Sequence, residues 1–142
     1  MKISSKGRYG LAVLASMAKH NNDGKPITVI SLAERLEISK IYLEQVFTLL
    51  KRSGFVISVK GSNGGYYLAK PPKDITAYDI LHATESAIFE KAEQTVSKRD
   101  ENLERAMENV FNKLDKTVKE VLSSVTLEDI VNDSGDAYMY YL

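Results

Sequence analysis

Lys60 stands at the root of the stretch "KGSNGGYYL", residues 60–68, where three glycines and an asparagine fill four of the next five positions. Gly adopts positive φ at no steric cost, and Asn tolerates it better than most residues. Such a loop is thin, and a lysine at its root suits the approach of a polyanion. The glycines do not make a nucleotide loop. A Walker loop ends in Gly-Lys-Ser/Thr, so that an ammonium and a hydroxyl meet the phosphates and Mg²⁺. Here Gly65 is followed by Tyr66 and Tyr67, and the Rossmann glycine spacing is missing too.

Other chemistries lack an anchor. The two histidines, His20 and His82, lie far apart with neither HxxxH nor HExxH spacing, and no Ser/His/Asp arrangement stands out. The chain has no cysteine, which excludes a disulfide framework, a thiolate zinc site and a cysteine-held iron–sulfur cluster. The Asp and Glu side chains fall on helix faces, where solvation accounts for them. An enzyme is not expected.

The elements that hold these residues follow from periodicity and capping chemistry. Residues 4–20 read as a helix with a stripe of Leu11, Leu14, Ala15 and Ala18. After the loop residues 21–26, residues 28–38 read as a short helix capped by Thr28, with Ile30, Ala33 and Leu36 on one side. Ser39 caps a second helix over 40–54, in which Leu43, Val46, Phe47 and Leu50 give the i, i+3, i+4, i+7 pattern and Gly54 marks the stop. A short helix, a tight turn and a second helix make a helix-turn-helix. Residues 55–60 and 65–70 then read as a hairpin whose tip is the glycine stretch. Phe55, Ile57 and Val59 alternate with Val56, Ser58 and Lys60, as in a half-buried strand. The prolines at 71–72 close the unit.

Residues 74–85 read as a helix capped by Thr76, and 86–97 carry no decisive pattern. A long helix is expected over 98–124, with an apolar stripe of Leu103, Met107, Val110, Phe111, Leu114, Val118, Val121 and Leu122. A stripe of that length usually packs on a second long helix. A last helix starts at Thr126, where "TLED" fits a capping box with Asp in place of Glu. The fold class is therefore mainly α with a small β-hairpin (α+β): a winged helix-turn-helix with a long C-terminal dimerisation helix. Residues 1–73 are expected to form a DNA-binding domain, for which the charge below argues. Residues 74–142 are expected to form a dimerisation and effector region.

Charge supports this division. The 142 residues carry 19 Lys+Arg and 19 Asp+Glu. Residues 1–70 nevertheless hold a surplus of seven positive charges and residues 71–142 the matching surplus of negative ones. A helix of this size fits the major groove of B-DNA, and a slim hairpin can lie in the neighbouring minor groove while lysines meet phosphate. No apolar run reaches the ~20 residues needed to span a bilayer, and no signal-peptide pattern opens the chain. A cytoplasmic protein without membrane partners is expected.

Three stretches carry a recognisable family. "MKISSKGRYGLAVL", "ISKIYLEQVFTLLKRSGFVISVKGSNGGYYLAKPPKDITAYDIL" and "TLEDIV" resemble the Rrf2 family of bacterial winged-helix regulators, densely over residues 1–85 and loosely beyond. The resemblance implies a homodimer on double-stranded DNA, with helix 40–53 in the major groove and the wing at 60–66 on the minor groove. By position in the motif, Glu44 and Gln45 read bases, and Ser39, Lys40 and Tyr42 fall near phosphate. Lys2, Lys6 and Arg8 come near the backbone. Lys51, Arg52 and the wing residues Lys60, Gly61, Asn63 and Gly64 belong to the same DNA-facing set.

Iron–sulfur members of the family carry a Ser just before "YLEQ" and an Arg at the wing root. Here Ile41 and Lys60 stand there. Ile41 can touch a thymine methyl but donates no hydrogen bond, and Lys lacks the fork of Arg, so a different base preference is implied. Those members also place three cysteines before the long helix. This chain has none, so no cofactor is expected. By pattern the chain is nearest to the cysteine-metabolism repressors of the family. That likeness implies control of sulfur genes and cysteine synthase as a protein partner. The tail residues Tyr138, Tyr140, Tyr141 and Leu142 would either enter the partner's pocket or pack on the dimer core. Two alternatives stay open: a winged-helix protein–protein adaptor, and a regulator of another stress regulon sensing a small ligand.

Overall fold

A computed structural model of the chain describes residues 1–20, 24–85, 87–91 and 100–136. The tail residues Tyr138, Tyr140, Tyr141 and Leu142 lie outside the described set, as does the start of the long helix expected from residue 98. The order of elements is α1 (Ser5–Lys19), α2 (Val29–Leu36), α3 (Lys40–Arg52), β1 (Val56–Val59), β2 (Gly65–Leu68), a 3₁₀ turn (Pro72–Asp74), α4 (Ala77–Thr84), a second 3₁₀ turn (Ala87–Phe89), α5 (Glu101–Ser123) and α6 (Leu127–Asp136). A winged helix-turn-helix with a long helix behind it is thus the observed architecture.

Side-chain oxygens start the helices by accepting otherwise orphaned backbone N–H groups. Thr28 accepts from Ser31 N at 3.1 Å, Ser39 from Tyr42 N at 3.2 Å and Thr76 from Asp79 N at 3.1 Å. At α4 the box is reciprocal, because Asp79 accepts from Thr76 N at 3.1 Å. The box expected at Thr126 forms the same way: Asp129 N donates to Thr126 Oγ1 at 3.1 Å, and Thr126 N donates to Asp129 Oδ2 at 2.9 Å. These two caps lie side by side, since Ala77 N donates to Val125 O at 2.8 Å and Leu127 N to Ile75 O at 2.9 Å. Through that bridge α6 returns to the front of the molecule. Ile75, Ile80 and Leu127 belong to the same core as Val13, Leu14, Leu32, Leu43, Val46, Phe47 and Leu50.

Two expected faces are corrected, and a third, left open by alternation, is decided. In α1 the buried side is Gly7, Gly10, Val13, Leu14 and Met17; of the expected stripe, Leu11, Ala15 and Ala18 are only half-buried. The two glycines leave a groove that α4 fills: a Cβ at Gly10 would lie 3.0 Å from the Thr84 methyl. In α2 Leu32 is buried and Ile30 is 54% exposed. In β1 the inward residues are Val56 and Ser58, and Ile57 and Val59 face outward. The reason is register: Val56 pairs with Leu68 and Ser58 with Tyr66, whose ring lies on the core.

Candidate nucleic-acid interface

The turn between α2 and α3 sets the angle of the recognition helix. It is made by Glu37, which ends α2 at φ 53° and ψ 43° with its N–H donating to Ala33 O. Ile38 N also donates to Ala33 O, at 3.1 Å. A left-handed residue here is usually Gly or Asn, so sequence reasoning passes over a glutamate.

From that turn α3 presents two opposed faces. Leu43, Val46, Phe47 and Leu50 are fully buried. Lys40, Ile41, Glu44, Gln45, Lys51 and Arg52, all expected at DNA, are exposed on the other side. Ile41 is 73% exposed, far more than an isoleucine gains from water. Lys40 Nζ lies 3.8 Å from Glu44 Oε1. This solvent-facing i, i+4 pair contributes only about 0.3–0.5 kcal/mol, so DNA can displace it at little cost.

Two ring contacts hold α3, one in its first turn and one at its middle. Tyr42 meets Tyr9 of α1 edge-on, with centroids 5.1 Å apart, and Phe47 stacks on Tyr66 of β2 at 4.2 Å. Tyr42 is therefore half-buried against α1, leaving only part of its surface for phosphate. The wing is tied in as well, because Ile27 N donates to Tyr66 O at 2.9 Å and Tyr66 N to Ile27 O at 2.8 Å.

The wing tip spans residues 60–64 between Val59 and Gly65, which pair across the hairpin. Gly61 takes φ 110°, while Asn63 does not adopt positive φ. Gly64 needs to be glycine for space, since a Cβ there would overlap the Val59 carbonyl. Lys60, Gly61 and Asn63 are exposed and Gly64 is half-buried.

Lys2, Lys6 and Arg8 are exposed around the start of α1. A residue that sequence reasoning missed fixes that start. Glu85, just past α4 and 6% exposed, accepts a hydrogen bond from Ser4 N at 2.6 Å. A Cβ on Gly7 would fall 2.6 Å from the same carboxylate oxygen. The anion thus sits at the positive N-terminal end of α1 and locks the segment bearing the three cations. The signal was present as a small-xx-small pair, Gly7 and Gly10, which marks close approach of another element. At the other end of α1, the pKa of His20 is held below the usual histidine range, first by desolvation, then by the charges of Arg35 and Lys19.

Iron does not fit the donors present. The chain has no cysteine, and among the described residues no group of three or more His, Asp or Glu is arranged to hold a metal ion. Among the described residues, too, no helix is long and apolar enough to cross a membrane.

Comparison with known proteins agrees with this geometry. The family model described as "Rrf2: Iron-dependent Transcriptional regulator" matches residues 3–133. The transcriptional regulator CymR of Bacillus subtilis is 38% identical over 145 aligned residues that cover the whole of both chains. The regulator IscR of Photorhabdus laumondii is 32% identical, over 94% of this chain and 80% of its own. Among solved structures, CymR, the global cysteine regulator of B. subtilis, superposes with a TM-score of 0.76 at 36% identity, covering 93% of this chain and 97% of that one. IscR of T. potens superposes with a TM-score of 0.75 at 35% identity, covering 99% and 97%. These relatives are named as transcriptional regulators and none as an enzyme. The chain belongs to the Rrf2 family of winged-helix transcriptional regulators.

Proposed function

We propose that this regulator binds double-stranded DNA as a homodimer and represses genes of cysteine and sulfur metabolism, without an iron–sulfur cluster. The observation that carries the reading is the recognition helix. Its outward face is polar and cationic, with one bare isoleucine, and rings on both sides hold its angle. Each subunit inserts the N-terminal half of α3 in a major groove, where Glu44 accepts from cytosine N4, Gln45 addresses adenine and Ile41 touches a thymine methyl. Lys2, Lys6, Arg8, Ser39, Lys40, Lys51, Arg52 and the wing residue Lys60 meet phosphate.

Pairing of the two subunits belongs to α5. No residue of this 23-residue helix is buried, and Leu103, Val110, Phe111, Leu114 and Val121 are each more than half exposed. At ~1.5 Å per residue the stripe from Leu103 to Leu122 is about 28 Å long. A second copy of the same helix, laid across it, covers it. The cysteine-gene assignment rests on the likeness to CymR, identical at 38% of positions over its full length.

The test is a binding-site selection on random duplexes with titrations at several salt concentrations. Lys60→Ala weakens binding to all sequences alike and lowers the salt slope by about one per subunit. Glu44→Ala leaves the slope nearly unchanged and alters the selected sequence. If Glu44→Ala selects the same site as the parent, the base-reading assignment fails. If the parent binds no duplex at low salt, the whole reading fails.

A further inference from the structure

A cavity of about 260 Å³ opens between α4, the second 3₁₀ turn and α5. Tyr78 and His82 on α4 form a triangle of rings with Phe89, with centroids 5.6, 5.2 and 5.5 Å apart. Rings so arranged usually fill a core, but His82 is exposed and Tyr78 and Phe89 are only half-buried. Lys119 of α5 places its Nζ 5.4 Å from the centre of the Tyr78 ring. Lys91 and Asp115 also line the cavity, and Ile88 and Val118 give it apolar walls.

These groups select a ligand. The cation that an aromatic cluster would attract is already in place as Lys119, so a cationic ligand would meet two ammonium groups. Two ammonium groups against the one carboxylate of Asp115 leave the mouth net positive, which favours a single negative charge and disfavours a dianion such as phosphate. The volume equals that of about nine waters in the liquid, at ~30 Å³ each, and falls below the range of drug-sized pockets. That leaves room for one ring or one branched chain. We propose that this cavity binds a small amphipathic carboxylate, its apolar body against Tyr78, His82 and Phe89 and its anionic end on Lys119 and Lys91.

The site is placed to act on the DNA-binding surface, a statement that rests on the function proposed above. Tyr78 and His82 occupy one side of α4. The opposite side carries Ile80 and Thr84, which meet Gly10 of α1, and the helix ends at Glu85, which holds Ser4. Leu114 and Val118 of the α5 stripe also line the cavity, so occupancy bears on subunit pairing too.

The test is calorimetric titration of the full chain, without DNA, using phenylacetate, its neutral analogue phenylacetamide and the cation 2-phenylethylamine. Phenylacetate is expected to saturate one site per chain and to bind at least about tenfold more tightly than either analogue. Lys119→Met removes that tenfold preference without weakening phenylacetamide, and Phe89→Ala weakens both ligands. Lys73→Met, outside the cavity, changes neither. Equal binding of acid and amide, or no saturation by phenylacetate in the millimolar range, overturns the site. Because DNA is absent, that failure is separate from failure of the DNA reading. In a second titration phenylacetate must change the affinity for duplex DNA, since linkage is reciprocal; an unchanged affinity overturns the effector role.

Discussion

α3 and α5 are both strongly amphipathic, and they end in opposite situations. In α3 the residues Leu43, Val46, Phe47 and Leu50 are all fully buried, because α1, α2, α4 and the wing surround them. In α5 apolar residues recur at the same spacing, yet Leu103, Val110, Phe111, Leu114 and Val121 stay more than half exposed. Hydrophobic periodicity therefore states that a helix face requires cover and does not state what supplies it. For α3 the cover is this chain's own. For α5 the described residues cover the stripe only in part, leaving Val118 and Leu122 half-buried, and the proposed cover of the rest is a second subunit.

One residue type in both places gives the sharpest break between them. Phe47→Ala empties a fully buried, ring-stacked site and is expected to cost about 3–5 kcal/mol at any protein concentration. Phe111 is 51% exposed, so within one chain Phe111→Ala costs only about 0.5 kcal/mol or less. In a dimer its cost grows, and it appears as a stability that depends on protein concentration. Thermal unfolding of both variants over a hundredfold range of concentration reads the difference. A Phe111→Ala midpoint that tracks the parent at every concentration would remove α5 from the pairing surface.

The next largest effect belongs to charge on the stripe. Val110 and Val121 are 64% and 58% exposed, so Val110→Asp with Val121→Asp leaves the fold of a single chain intact. Two buried carboxylates per subunit would prevent pairing. Light scattering should then report a monomer with parental circular dichroism. DNA affinity should fall by about a hundredfold or more, some 2.7 kcal/mol, as one subunit's contacts are lost. A dimer that survives both changes refutes α5 pairing.

The same contrast explains what could be read without coordinates. Capping is local chemistry, so Thr28, Ser39, Thr76 and Thr126 were all legible as caps and all act as such. Faces are decided by neighbours, so they were less legible. Gly7 and Gly10 register as neutral in any hydrophobic pattern, yet they mark the side of α1 that α4 enters. Alternation in 55–60 fixed that a strand exists but left its inward side open; pairing with Tyr66 decided it. Of the residues expected at DNA, Lys40, Ile41, Glu44, Gln45, Lys51 and Arg52 emerge together on one exposed face, as helical spacing implied. Glu85 and the aromatic cavity depend on contacts distant in sequence, which no local pattern carries.

The smallest effect tests the two helix ends that bound these regions. Glu37 ends α2 in the left-handed region, φ 53°, whereas Ser124 ends α5 at φ −82° in ordinary helical geometry. A non-glycine residue pays roughly 1–2 kcal/mol for the left-handed conformation, and glycine returns part of any gain through its freer unfolded chain. Glu37→Gly is therefore expected to stabilise by about 0.5–1 kcal/mol. Ser124→Gly relieves no strain and is expected to destabilise by a similar amount, about 0.5–1 kcal/mol. Glu37→Ala separates backbone from side chain: it keeps the strained backbone and should move stability by less than about 0.5 kcal/mol. Urea unfolding of the three variants at one concentration measures all of this. A loss of stability in Glu37→Gly would mean that the glutamate side chain, not relief of the left-handed turn, dominates the stability of the α2–α3 junction.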